Sequence, residues 1–495
     1  MHPRHLSRRT LLRGATLSAA GLAAGIGLTA TGSAAPPRRG PAATDRDAEV
    51  IVVGAGMAGL AATKQLRAAG LRVLLLEGRE RAGGRVHNAV TRGGISIDGG
   101  AEFLGPTQDR IAALAAEYGV ATLPTYNQGE SLFWINGAAQ RVPAALPLPV
   151  LPGTVETAAA LALIDATALG FPVGEPWKHP DAAYLDSITW QDWIDAHAAT
   201  YEGKLFLALS ESAPLSVRPH ELSALFMMNY FASAGNENSP GSFERLLGVD
   251  GGAQERFFDG GAALVPLRMA ESLSESIVYG AAVRCIDQTG SGVEVSTTRG
   301  TFRAGKVIVA MSPAICDRIE YRPGLPSDRI ELTRGYKMGR IAKFLAVYDR
   351  PFWREQGLTG QVVGDGTPID VTYESYGQGH HLLMGFISAD AMADLDTRPD
   401  RDLVEESLDS FVRYFGPEAR TRVLDYGFKK WDHDPFSWGG PTATTRPGIL
   451  TRFGPALRAP VGGIHWAGTE TADYWQGYMD GAIRSGERAA REVLS

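Results

Sequence analysis

The stretch from Glu49 to Glu77, EVIVVGAGMAGLAATKQLRAAGLRVLLLE, decides the fold. Glu49 to Val53 is a short β-branched run, the pattern of a buried strand. Gly54-Ala55-Gly56-Met57-Ala58-Gly59 follows at once, with Leu60 and Leu66 at helical spacing behind it, and Gly70 ends that helix. Arg72 to Glu77 is a second apolar run ending on an acid. Gly54 permits the tight turn, Gly56 lets a pyrophosphate approach the backbone, and Gly59 lets helix pack on strand. The helix N-terminus, at Met57 and Ala58, offers N–H groups and partial positive charge to phosphates. Glu77 lies about 20 residues on, where an acid accepts hydrogen bonds from a ribose. The glycine motif alone is a weak signal. Strand, helix, second strand and acid in that order predict a dinucleotide-binding unit.

The bulk properties set bounds. A chain of 495 residues is too long for one compact core, so two domains are expected. Its 44% hydrophobic and 21% charged content is that of a globular protein. Net charge is −7, and removing the first 35 residues, with Arg4, Arg8, Arg9 and Arg13 and no acid, leaves −11. That argues against a nucleic-acid partner and favours cationic substrates through long-range steering; acidity that merely keeps the protein soluble is an equal reading. Cys285 and Cys316 suggest no disulfide framework, and no His/Cys cluster has metal-ligand spacing, so no metal is expected. The scattered histidines read as surface or ordinary core residues.

Residues 1–35 read as a targeting segment. Ser7-Arg8-Arg9-Thr10-Leu11-Leu12 is a twin-arginine pattern, followed by a mildly apolar Ala/Gly/Leu stretch and small residues to Ala35. This predicts export of a folded, cofactor-loaded protein by the twin-arginine machinery. Residues 36–47 read as a linker. Beyond Glu77, Gly78-Arg79-Glu80-Arg81-Ala82-Gly83-Gly84-Arg85 places arginines where they can neutralise pyrophosphate charge. Ile95 to Phe103 is a strand running into dense glycine, as where backbone passes close to a flat ligand.

The glycine motif, Arg81 to Arg85, and Asp98-Gly-Gly-Ala-Glu-Phe-Leu-Gly-Pro-Thr-Gln108 together resemble the flavin-containing amine oxidases, the monoamine oxidase family. The resemblance returns at Gly252 to Ala262, in the strand pair around Val283 and Val293 to Val295, and at Gly339 to Lys343. It continues through Arg350-Pro-Phe-Trp353 and is densest from Ile464 to Ala482 (IHWAGTETADYWQGYMDGA). It implies an α/β fold. An FAD-binding Rossmann-type domain, glutathione-reductase-like, is interleaved with an α+β substrate domain of mixed sheet and helices. The expected boundaries are FAD-binding parts at 48–122, 253–330 and 435–495 and substrate parts at 123–252 and 331–434. From Thr122 to about Gly252 the likeness is weak, and Trp190 to Trp193 and Leu222 to Phe231 suggest mostly helix, with a loop over 142–152. Leu403 to Phe415 reads as an amphipathic helix.

The resemblance also implies the site. The dinucleotide becomes FAD. Its expected contacts are Gly54, Gly56, Met57, Ala58, Gly59, Glu77, Gly78, Arg79, Gly84, Arg85, Gly100, Ala101, Glu102, Val283, Trp438, Gly468, Thr469, Glu470, Gly477, Tyr478 and Met479. The helix starting near Tyr478 turns its N-terminus to the flavin pyrimidine. Lys343 matches the family lysine that reaches the flavin N5 through a water, and Tyr478 matches one wall of the aromatic cage around the substrate amine. Lys343 and Tyr478 are therefore the catalytic candidates, and Phe103, Tyr373, Trp438 and Thr442 the substrate-binding ones. Covalent members carry a cysteine and then the second cage tyrosine where this chain has Pro441 and Thr442. Noncovalent FAD and a half-open cage are expected. Glu102 is read either as bonded to loop N–H groups or as the partner of a second substrate amine.

The implied reaction is oxidative deamination of a small primary amine by hydride transfer to N5, giving imine and aldehyde, ammonia and, with oxygen, hydrogen peroxide. An L-amino-acid oxidase would need an arginine for the carboxylate; related oxidases place it just after the Phe103 segment, where Gly105 to Asp109 holds none and Arg110 falls on the next helix. A diamine or polyamine oxidase is the other enzymatic alternative, and a non-catalytic flavin-binding protein the remote one. With no run of 18 apolar residues after the signal and a stop at Ser495, no stable membrane anchor is expected, and a secreted, extracytoplasmic location is. The oligomeric state is open, a homodimer included.

Overall fold

The computed structural model describes residues 47–144, 152–377 and 379–495. The targeting segment, nearly all of the linker, and most of the loop expected over 142–152 lie outside them. Strands Ile277–Val278, Val73–Leu76, Val50–Val53, Lys306–Ala310 and Ile464–Ala467 form, in that spatial order, an all-parallel sheet. Such strands are covered on both sides, which is why they read as unbroken apolar runs. Successive side chains alternate between faces. Val50 and Val52 pack with Leu60, Leu66, Ile483 and Ala490 of helices Met57–Ala68 and Met479–Leu494. Ile51 and Val53 pack with Val295 and Phe302 of a small sheet on the other face. Helix Met57–Ala68 stops just before Gly70, whose φ of 88° is the left-handed value expected of a terminating glycine.

A second sheet has seven strands in the order Val423–Lys430, Ala342–Tyr348, His380–Ile387, Ile369–Gly377, Leu358–Gly364, Glu130–Ile135 and Ala138–Pro143. It is mixed: Leu358–Gly364 runs parallel to Glu130–Ile135, and the other pairs are antiparallel. Helix Asp400–Phe415 covers one face through Leu403 and Phe411 against Phe344 and Leu383. The opposite face carries Leu345, Val347, Val371, Tyr373 and Met384. Lys343 falls on that face by alternation.

The stretch from Thr122 is less helical than its composition suggests. Helices Thr154–Ala168, Trp190–His197, Tyr201–Leu215 and Ala224–Ser233 are present, but Glu130–Ile135 and Ala138–Pro143 form a hairpin on the edge of the second sheet. Its turn is Asn136-Gly137, both at positive φ, the pair that a two-residue hairpin turn demands. The parallel sheet draws all its strands from 48–122, 253–330 and 435–495, and the mixed sheet draws all of its own from 123–252 and 331–434. No helix among the described residues is long and apolar enough to cross a membrane.

Candidate active site

Between the two sheets lies a cavity of about 1050 Å³. That is the upper end of ordinary ligand pockets, about 300–1,000 Å³. Gly54, Gly56, Met57 and Ala58 line one part. Helix Met57–Ala68 has no side chain capping its N-terminus and no acid in its first turn, so its N–H groups face the cavity unanswered by the chain. Gly84 brings its backbone against Gly56: a Cβ on Gly84 would stand 3.2 Å from the Gly56 Cα. Glu77 is buried, and its carboxylate accepts from Ala55 N at 2.7 Å and Arg79 N at 2.8 Å. Two lone-pair sites remain for a ligand's hydroxyls.

The arginines are individually anchored. Arg79 pairs with Asp434 and donates to Ser437 Oγ at 2.8 Å, while its Nε is buried without a partner among the described residues. Arg81 donates to the carbonyls of Ala82 and Gly84, both at 3.1 Å. Burial, then the Arg79 charge, lowers its guanidinium to about 10. Arg85 forks onto Glu470 at 2.7 and 3.2 Å and reaches the Pro441 carbonyl at 2.9 Å. Burial alone would raise the Glu470 carboxyl; Arg85 and its hydrogen bonds hold it below the ordinary value.

At the far part of the cavity Lys343 and Tyr478 come together with Phe103 and Tyr373. The Phe103 and Tyr373 rings lie 5.3 Å apart. Tyr478 stacks on Tyr230 at 6.2 Å and 26°, and meets Trp475 edge-on at 4.9 Å. Tyr478 Oη donates to the Leu246 carbonyl at 3.3 Å. Burial pushes the Tyr478 and Tyr230 hydroxyls upward and that of Tyr373 to about 12, so all three walls stay protonated. Tyr230 did not stand out in the sequence, because every residue of helix Ala224–Ser233 is buried and no periodicity marks one face.

Most of the expected contacts line this cavity: Gly78, Gly100, Ala101, Glu102, Val283, Gly468, Thr469, Gly477 and Met479 join those already named. Four do not. Gly59 lies behind the wall, where a Cβ would stand 1.9 Å from the Gly54 carbonyl oxygen, so its role is packing. Trp438 is 46% exposed; the Arg318 guanidinium sits 3.5 Å over its ring and its Nε1 donates to Pro435 O. Thr442 is buried behind Gly477. Glu470 is not on the cavity wall; it supports the wall through Arg85. Glu102 accepts from no loop N–H group among the described residues: its carboxylate is ion-paired to Lys343. Its neighbour Asp98, fully buried, accepts from Ala262 N at 2.8 Å. Burial and then the Glu102 charge push the Asp98 carboxyl up to about 8, against the pull of Lys343.

The cavity thus offers uncapped helix N–H groups and an orphaned arginine nitrogen for phosphates. It adds a carboxylate for ribose and an aromatic end with a lysine. A family model for flavin containing amine oxidoreductases matches residues 57–494. The chain belongs to the flavin-containing amine oxidase family. This amine oxidase is an FAD-dependent oxidoreductase that deaminates amines, and the donors just described fit FAD. It is 38% identical over 449 residues to AofH of Mycobacterium tuberculosis, provisionally named a flavin-containing monoamine oxidase, covering 90% of this chain and 96% of that one. It is 33% identical to a flavin-containing amine oxidase of Danio rerio, over 90% and 85% of the two chains. Among solved structures it resembles cyclohexylamine oxidase from Brevibacterium oxydans (TM-score 0.83, 31% identity, 90% and 98% covered) and a putrescine oxidase bound to putrescine (0.84, 29%, 90% and 99%).

Proposed function

We propose that this amine oxidase acts on a small primary monoamine, that it holds FAD noncovalently, and that it works outside the cytoplasm after twin-arginine export. The observation that carries the substrate reading is the aromatic end walled by Tyr478, Tyr230, Phe103 and Tyr373 beside Lys343. When bound, FAD accepts a hydride equivalent from the carbon next to the amine nitrogen and passes the electrons to oxygen, giving hydrogen peroxide. The chain's residues do the rest. The rings exclude water and disfavour a charged ammonium, so the amine reacts neutral. Tyr478 and Tyr230 stay protonated and serve as walls rather than bases, fixing the amine's aim. Lys343 supplies the charged group at this end.

Arg110 supports the choice against an amino-acid substrate. Its Nε binds Glu487 at 3.2 Å and it does not line the cavity. A diamine reading has one observation in its favour: Asp165, Glu244 and Asp250 line the cavity and could meet a second ammonium. A peroxide-coupled screen of aromatic monoamines, diamines and L-amino acids separates the three. Turnover of monoamines is expected, and turnover of amino acids alone overturns the proposal.

Noncovalent FAD is supported by Pro441 on the cavity wall and by both cysteines lying off it. Acid precipitation should release all the yellow colour; colour kept in the pellet contradicts this. Export rests on Arg8-Arg9 within the signal pattern. Replacing both with lysine should trap the protein in the cytoplasm, and unchanged export would refute the route.

A further inference from the structure

Lys343 is held by more than its strand. Its Nζ donates to the Glu102 carboxylate and to the Gly100 carbonyl at 3.2 Å, and the two side chains are 3% and 1% exposed. The second carboxylate oxygen of Glu102 is buried without a partner among the described residues, so Lys343 answers that charge almost alone. Other charges approach from each side. Asp98, on the strand leading into the glycine segment, is kept protonated by burial and by Glu102. Lys429, opposite Lys343 on the neighbouring strand, has its own partner in Asp434 at 3.4 Å. On the other neighbouring strand Lys343 faces only the uncharged Phe386 ring, 5.8 Å away.

We propose that Glu102 is a positioning residue that holds Lys343 aimed at the ring end of the cavity, so that the Glu102–Lys343 pair tunes the reduction potential of the bound flavin. The inference rests on the proposed placement of the flavin ring beside Lys343. The pair with neutral Asp98 carries no net charge. Removing the carboxylate charge leaves the positive charge of Lys343 unanswered, which favours electron gain by a neighbouring group.

The test is the midpoint potential of the FAD-loaded protein measured anaerobically by dye equilibration, at a pH well below 8 so that Asp98 keeps its proton. In Glu102→Gln the potential should rise above wild type. The double variant Glu102→Gln/Lys343→Met should match wild type, because a neutral pair then replaces a neutral pair. Glu102→Asp, which keeps the charge, should also match wild type and guards against Glu102→Gln failing to load FAD. A Glu102→Gln potential equal to wild type, or a Glu102→Asp potential that departs as Glu102→Gln does, overturns the proposal. If Lys343→Met alone also leaves the potential unchanged, the ring does not lie beside Lys343, and the placement itself has failed.

Discussion

Arg85 and Glu470 show how a buried residue can hold another in the cavity wall. Glu470 is buried and its charge is answered by the Arg85 fork and the Ala443 N–H at 3.2 Å. Removing the arginine strands the carboxylate, at a cost of about 3–5 kcal/mol. Arg85→Ala should therefore lower the denaturation midpoint far more than an exposed change such as Arg299→Ala; equal midpoints in urea unfolding would refute the pairing. Tyr230 is the other case. Its ring faces Tyr478 across the aromatic end. Such a pair contributes about 0.5–1.5 kcal/mol beyond burial. Tyr230→Leu, which keeps most of the volume, should reduce kcat/KM for an aromatic monoamine about tenfold. An unchanged kcat/KM would remove Tyr230 from the site.

At the scale of elements, the opening strand–turn–helix is where local chemistry and global packing agree. Gly59 is the test. Any side chain there meets the Gly54 carbonyl in the turn that faces the phosphates. Gly59→Ala should cost about 3 kcal/mol through overpacking and should weaken FAD retention at the same time; a variant that melts with wild type and keeps its flavin on gel filtration would contradict the packing. The parallel strands and this helix were legible because burial on both faces leaves unbroken apolar runs, and the last helix because Ile464 to Ala482 resembles the family so closely. The hairpin at 130–143 was not, although Asn136-Gly137 marked its turn. Its outer strand, AAQRVP, is largely exposed, shows no alternation and sits on a sheet edge, where pattern is weakest. Side-chain pairings across long separations were likewise out of reach. Nothing near Glu102 in the chain announces Lys343, 241 residues on, nor does anything near Trp438 announce the Arg318 guanidinium over its ring.

For the molecule as a whole, buried Asp98 and half-buried His87 set opposite pH trends. Asp98 holds its proton up to about 8 in the fold, whereas an unfolded aspartate releases it near 4. Between those values the native state binds the extra proton, so the stability this group contributes is fully present below about 4 and is lost as pH rises through about 8. His87 is the reverse: burial, then Arg81 and Lys429, lower it to about 4. Its contribution is present above about 6.5 and lost as pH falls through about 4. Melting temperatures across pH should fall at both ends. Asp98→Asn should flatten the alkaline decline and His87→Gln the acid one; slopes identical to wild type would refute these environments.

The aromatic end where Lys343, Tyr478 and Tyr230 meet is the proposed place of the amine beside FAD. Anaerobic mixing of the FAD-loaded protein with an aromatic monoamine, followed at the visible absorption band of the flavin, tests it most directly. The account predicts bleaching by the monoamine and none by an L-amino acid. Bleaching by amino acids alone, or by no amine at all, would contradict it.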